Sequence, residues 1–205
     1  MQGYILDIKA VRDEDLIVTI LTENKIYTLY RFYGKRHSVI NIGYKIDFES
    51  ESNIKSTIAR LKDTIQLGFT WLFDSNKLYH WQRFLKLLST HFRDIDEIDE
   101  FYFELLEDAV LKIEKQNIHR VLIEKYIKIL EHEGRLHSEY ICLLCDTKIE
   151  DKISLVRGFV PTHPKCSYSK EFEISKIDKL FLDKSTIELS DEECEYIWNI
   201  VLQGI

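Results

Sequence analysis

The spacing of apolar residues changes once along this chain, just after Phe73. Before that point apolar residues alternate or run in short β-branched blocks; beyond it they recur every three or four residues. A chain patterned in this way places strands first and helices second, an α+β arrangement. Tyr4, Leu6 and Ile8 alternate with Ile5, Asp7 and Lys9, and residues 16–21 form the run Leu-Ile-Val-Thr-Ile-Leu. Polar turns flank that run, Arg12-Asp13-Glu14-Asp15 before it and Glu23-Asn24-Lys25 after it. Residues 26–32 predict a third strand, 39–48 a fourth interrupted by a bend at Gly43, and 60–73 a fifth. Five short strands within about 70 residues predict a small closed barrel.

The second part reads as helices. Leu78, Trp81, Leu85, Leu88 and Phe92 mark the first, with Asp74 and Ser75 as cap candidates. Ile98, Phe101, Tyr102, Leu105, Ala109 and Ile113 mark the next. Ile118, Leu122, Tyr126 and Leu130 mark a third, which Gly134 should stop. Ser190-Asp191-Glu192-Glu193 predicts a capping box opening a last helix with Cys194, Ile197, Trp198, Val201 and Leu202 on its apolar stripe. The expected domains are therefore residues 1–73 and 74–205.

Composition agrees with a folded chain. Of 205 residues 45% are hydrophobic and 31% charged, which excludes the weakly hydrophobic, disordered class. No apolar run is long enough to span a bilayer, and the first residues lack a basic, then apolar, secretory pattern. The expectation is a soluble, cytoplasmic protein without a membrane partner. The net charge of −7 is unevenly spread: residues 1–73 hold ten Lys/Arg against nine Asp/Glu, and the rest 18 against 26. The barrel is near neutral, so overall acidity does not exclude a local basic surface.

Four cysteines are present, and they differ. Cys142-Leu143-Leu144-Cys145 and His163-Pro164-Lys165-Cys166 are two knuckles separated by 17 residues. A tight turn brings positions i and i+3 to one side, so each knuckle can offer two ligands to one tetrahedral ion, and thiolate with imidazole suits Zn²⁺. Four protein ligands close the coordination sphere, which makes such zinc structural. Residues 153–160 read as strand, predicting a zinc-ribbon-like β-hairpin inserted at about 140–168. A disulfide is disfavoured in a reducing compartment, and no βαβ context supports a redox C-x2-C. Cys194 reads as core.

No catalytic pattern stands out: the sequence holds no Walker A loop, G-x-G-x-x-G, H-E-x-x-H or G-x-S-x-G. The acidic stretch 94–100 reads as a solvated loop and first helical turn. Glu131-His132-Glu133 reads as a solvated helix end, and His80, His91 and His119 as structural histidines. The expectation is a protein that is not an enzyme and takes no small-molecule substrate. One segment invites function: Tyr30-Arg31-Phe32-Tyr33-Gly34-Lys35-Arg36-His37. Aromatic rings can stack on unpaired bases while Arg and Lys take phosphates. Taken alone, the same residues fit barrel core beside a solvated basic loop equally well.

The order of these features resembles the RecO family of bacterial DNA repair proteins. Residues 8–23, with Arg12-Asp13-Glu14-Asp15 leading into Leu16-Ile17-Val18-Thr19-Ile20-Leu21-Thr22-Glu23, are similar to that family's acidic turn and hydrophobic strand. Gly34-Lys35-Arg36-His37-Ser38 resembles its Gly-led basic loop. The helix before Gly134 followed by Cys142-Leu143-Leu144-Cys145, and Arg157-Gly158-Phe159 before Cys166, resemble its later passages. Asn24 stands where glycine is common, His163 where a cysteine ligand is common, and the basic loop is sparse. The resemblance implies an N-terminal OB-fold and a helical domain carrying the zinc insertion. It also implies a recombination mediator that binds single- and double-stranded DNA, anneals complementary strands, and with RecR loads RecA onto SSB-coated DNA. Two other readings stay open, an OB-fold RNA-binding module and a non-catalytic protein interaction scaffold.

Overall fold

The computed structural model describes residues 1–52 and 57–205 and divides the chain into two compact units, Met1–Lys115 and Gln116–Ile205. In the first unit β1 (Gln2–Ala10), β2 (Leu16–Leu21) and β3 (Ile26–Arg31) form an antiparallel meander. β4 (Lys45–Glu51) pairs antiparallel with β1 and with β5 (Arg60–Leu67). A parallel pairing of β3 with β5 at Tyr30 and Arg60 closes the barrel in the order β1-β2-β3-β5-β4. This is an OB-like barrel. Its interior holds Ile5, Val18, Ile20, Leu29, Ile46, Phe48 and Leu61, so alternation on each strand puts one set of side chains inside. β1 and β2 approach closely at Gly3, where a Cβ would lie 2.5 Å from Ile20 Cγ2 and 2.7 Å from the Leu21 carbonyl oxygen.

In the barrel, two strand expectations need correction. The fourth strand begins at Lys45, not at residue 39. The backbone of residues 42–43 is used instead to anchor a helix: the Trp81 indole N–H donates to the Gly43 carbonyl at 2.9 Å, and the Gln82 amide donates to Ile42 at 2.9 Å. Gly43 has φ +88° there, and a Cβ would lie 2.9 Å from the Trp81 ring. The fifth strand stops at Leu67, because the chain turns to bury Trp71 and Leu72 before the next helix. The Trp71 indole donates to the Val110 carbonyl at 2.9 Å and its ring meets Trp81 edge-on at 5.8 Å.

That helix, α1 (Ser75–His91), is capped as expected by Asp74, whose side chain accepts from the N–H groups of Asn76 and Lys77. α2 (Glu100–Lys115) follows, and the Glu107 carboxylate binds both the Tyr4 hydroxyl at 2.6 Å and the Lys45 ammonium at 2.8 Å. Helices α1 and α2 therefore share the barrel's unit, and the boundary drawn after Phe73 lies within it.

The second unit is organised around α3 (Ile118–His132), buried along Val121, Leu122, Ile123, Tyr126, Ile127, Ile129 and Leu130. It ends at Gly134, with φ +66°, where the N–H of Gly134 donates to Glu131 and that of Arg135 to Leu130. These two bonds close the helix as a Schellman motif. β6 (Lys152–Val156) lies between β7 (Val160–Thr162) and β8 (Phe172–Glu173). Residues 153–160 are thus not one strand: the chain reverses at Gly158, φ +71°, and buries Phe159 against Tyr126, with ring centroids 4.8 Å apart. α4 (Pro164–Ser167), α5 (Ile174–Leu182) and α6 (Asp191–Val201) complete the unit. Among the described residues no helix is long and apolar enough to cross a membrane.

The capping box at α6 is formed, with the Ser190 hydroxyl accepting from the Glu193 N–H and the Glu193 carboxylate from the Ser190 N–H. Burial opposes the Glu193 carboxylate, but Lys176 and Ser190 outweigh it and hold its pKa below the ordinary range. A lowered pKa gives stability that is present above the ordinary glutamate range and lost as pH falls through the lowered value. Ser190→Ala should therefore cost about 1 kcal/mol. In melting experiments, the deficit of Glu193→Gln should be present at pH 7 and shrink in acid as the wild-type carboxylate protonates.

Candidate metal centre and nucleic-acid surface

The first cysteine knuckle is shaped by its own backbone. The Cys142 N–H donates to the Thr147 carbonyl, and the Asp146 N–H returns to Cys142, with Asp146 at φ 55°. The second knuckle is the single turn of α4: Pro164 opens it, and the Cys166 and Ser167 N–H groups donate to the His163 carbonyl. β6 and β7 pair between the knuckles, with Ser154 opposite Thr162. The Leu143 N–H donates to the Pro161 carbonyl and the His163 N–H to Cys142 Sγ at 3.3 Å, which ties one knuckle to the other.

The four ligand atoms of Cys142, Cys145, His163 and Cys166 all lie within 4.8 Å of one another. A tetrahedral thiolate site has sulfur–sulfur edges of about 3.8 Å, so small adjustments bring this group onto one ion. His163 Nδ1 faces Cys145 Sγ at 3.3 Å and Cys166 Sγ at 3.9 Å. Its other ring nitrogen, Nε2, lies 3.3 Å from the Lys148 carbonyl oxygen, which can accept a hydrogen bond from Nε2–H and leave the Nδ1 lone pair facing the sulfurs. The Thr147 hydroxyl stands 3.1 Å from Cys145 Sγ.

Protonation supports the same reading. Burial opposes the Cys142 thiolate, but backbone N–H groups of His163, Leu144 and Cys145 outweigh it and bring the thiol down to about 6. The Thr147 hydroxyl and N–H lower Cys145. Burial, with the neighbouring Cys145 and Cys142, pushes Cys166 up to about 11. Cys142 and Cys145 are thus primed as thiolates, while the Cys166 thiol beside them stays protonated until a cation joins the group. The group could hold a metal ion, and the donor set fits a closed site. Cys194, by contrast, is buried on α6 as expected, and burial raises its thiol to about 11.

At the barrel, the segment following β3 is held by an unexpected partner, the acidic turn between β1 and β2. Asp15 accepts from the Tyr30 hydroxyl at 2.5 Å and from the Tyr33 N–H at 2.9 Å, and these bonds keep its carboxyl below the usual range. The Glu14 carboxylate pairs with Arg36 Nη2 at 2.5 Å, and the Asp13 carbonyl accepts from Lys35 Nζ at 2.7 Å. Tyr33, at φ 51°, starts the single 3-10 turn Gly34–Arg36. Arg31 is turned inward, with Nη1 donating to the Leu61 carbonyl at 2.8 Å and Nη2 lying 3.5 Å from His37 Nε2. Its buried Nε has no hydrogen-bond partner among the described residues.

Two rings remain available to solvent. Phe32 is 45% and Tyr33 58% exposed, whereas Tyr30 is half-buried with its ring edge-on to Phe32 at 4.8 Å. A guanidinium covers part of each exposed ring: Arg60 over Phe32 at 4.9 Å and Arg36 over Tyr33 at 5.1 Å. The structure thus brings Tyr30, Phe32, Tyr33, Lys35 and Arg36 to one end of the barrel and uses Arg31 as an internal pin. Arg60 escaped the sequence reading, because it lies 28 positions beyond Phe32 and only barrel closure joins them. Thr147 and Lys148 were missed as well; nothing in their spacing marks them as ligand supports.

The chain thus combines a closed OB-like barrel, helices and a three-cysteine, one-histidine cluster that could hold a metal ion. Residues 1–72 match the family described as RecO N terminal. The barrel region is thus similar to the N-terminal part of RecO-family proteins. The match covers the barrel and the turn that leaves it. No curated protein matches the chain.

Purified protein should carry one thiophilic divalent ion per chain, measured by elemental analysis. Cys142→Ser should lose that ion and melt at lower temperature, and acidification should release it as the thiolates protonate.

Proposed function

We propose that the protein is a non-catalytic recombination mediator. It binds single- and double-stranded DNA, anneals complementary strands, and with RecR helps load RecA onto SSB-coated DNA, acting in the cytoplasm. The observation that supports this reading most is the pair of exposed rings, Phe32 and Tyr33, flanked by Arg36 and Arg60 on an OB-like barrel matched to the RecO N-terminal family. Rings of this kind stack on unpaired bases, and the cations beside them take phosphates. In this reading residues 1–73 are the DNA-binding domain. Tyr30, Arg31 and His37 shape the surface on which Phe32, Tyr33, Lys35 and Arg36 make contact. Residues 74–205 are a helical domain, and the insertion at about 140–168 is held by a structural zinc on Cys142, Cys145, His163 and Cys166.

The test is strand annealing of SSB-coated complementary oligonucleotides, with and without RecR, alongside direct binding over a salt series. Equal competition by RNA would favour an RNA-binding module, and salt-independent failure to bind either nucleic acid would favour a protein scaffold. Lys35→Ala with Arg36→Ala should weaken duplex binding whatever the sequence. It should also lower the duplex salt slope by up to about 0.9 for the lost phosphate contact of Lys35, since Glu14 already engages Arg36.

A further inference from the structure

The Arg36 guanidinium of the barrel's basic loop is not free to meet phosphate without competition. Glu14 already neutralises Arg36 at 2.5 Å, and Lys35 Nζ already donates to the Asp13 carbonyl at 2.7 Å. The Lys35 N–H also donates to the Glu14 carbonyl at 3.1 Å, so the two turns are joined through their backbones as well. Phe32 and Tyr33 need no such release, since both rings already face solvent and Arg60 already sits over Phe32. Two kinds of nucleic acid meet this surface on different terms. A single strand can lay unpaired bases on the rings and run its backbone past Arg60 while the Glu14–Arg36 pair stays intact. A duplex offers this surface chiefly phosphates, and a phosphate placed on Arg36 must compete with the Glu14 carboxylate already bound to Nη2.

From this we infer that Glu14 is a specificity-determining residue: its carboxylate stands in for a phosphate on Arg36 and biases the barrel towards single-stranded over double-stranded nucleic acid. The inference rests on the reading of the barrel as a nucleic-acid-binding surface. The pair is exposed on both sides, with side chains 35% and 65% accessible, so it can be exchanged for a phosphate rather than permanently blocking the loop.

The full chain is titrated by fluorescence anisotropy against a labelled oligothymidylate and a duplex of equal length, over a salt series. Glu14→Gln should raise duplex affinity roughly fivefold near physiological salt and steepen the duplex salt slope by up to about 0.9, the worth of one recovered phosphate contact. Single-strand affinity should change by less than about twofold. Glu14→Gln combined with Arg36→Ala should lose the duplex gain. Phe32→Ala with Tyr33→Ala should lower single-strand affinity by about tenfold or more, at the usual worth of base stacking, and leave duplex binding nearly unchanged. Matching melting curves exclude unfolding as the cause. If Glu14→Gln raises both affinities equally, or neither, the inference is overturned while the nucleic-acid reading survives. If the wild-type chain binds neither ligand, that reading falls and the inference with it.

Discussion

Closure of the barrel depends on one parallel pairing, Tyr30 of β3 with Arg60 of β5. The other strand contacts are antiparallel, and the first two join strands that are adjacent in sequence. Parallel pairing needs a long connection, and the entropy of closing that loop opposes it. Its consequence reaches past the barrel. By fixing β5 beside the end of β3, it sets the Arg60 guanidinium over the Phe32 ring and the Leu61 carbonyl within reach of Arg31. The half-buried Arg31 then holds its end of the strand while Phe32 and Tyr33 project outward. Without that closure Phe32 would have no cation over its ring.

In the second unit the constraint is of another kind. Its sheet has strands of five, three and two residues, too short to specify a register by alternation alone. The register is set from both ends: Gly158 fixes the reversal between β6 and β7, and the two knuckles grip the open ends of the hairpin. A cation drawing four ligands together contributes its binding free energy to folding, which suits a region with little core of its own. The Lys148 carbonyl and the Thr147 hydroxyl belong to the same turn as Cys145 and orient the ligands from outside the coordination shell.

What could be read from the sequence was what local chemistry determines. Ser190 with Glu193, Asp74 before α1, Gly134 after α3, and the spacing of Cys142, Cys145, His163 and Cys166 each act over a few residues and are legible there. The start of β4 was not legible, because a tertiary hydrogen bond from the Trp81 indole to Gly43 takes the backbone away from the sheet. The inner stripe of α3 looked like one face in four marked residues. The structure buries it far more widely, since helices and the hairpin of its own unit surround it. The acidic turn 12–15 read as solvated polar residues for the same reason that Arg60 went unseen. Both acquire their meaning from partners more than 15 residues away, Arg36 for Glu14 and Phe32 for Arg60.

Charge is the quantity most changed by this pairing of turns. The barrel region holds nearly equal numbers of both signs, and a count suggests a surface without electrostatic preference. Geometry removes that neutrality unevenly. Glu14 takes up Arg36 and Glu51 takes up Lys62, while Lys35 is held by a backbone carbonyl and Arg60 stacks on a ring. Cations engaged by carboxylates respond weakly to a distant polyanion, because the approaching phosphate meets a dipole rather than a net charge. A surface built in this way favours short-range contacts with groups that offer something other than charge. Exposed aromatic rings supply that other term, and unpaired bases are the part of a nucleic acid able to use it.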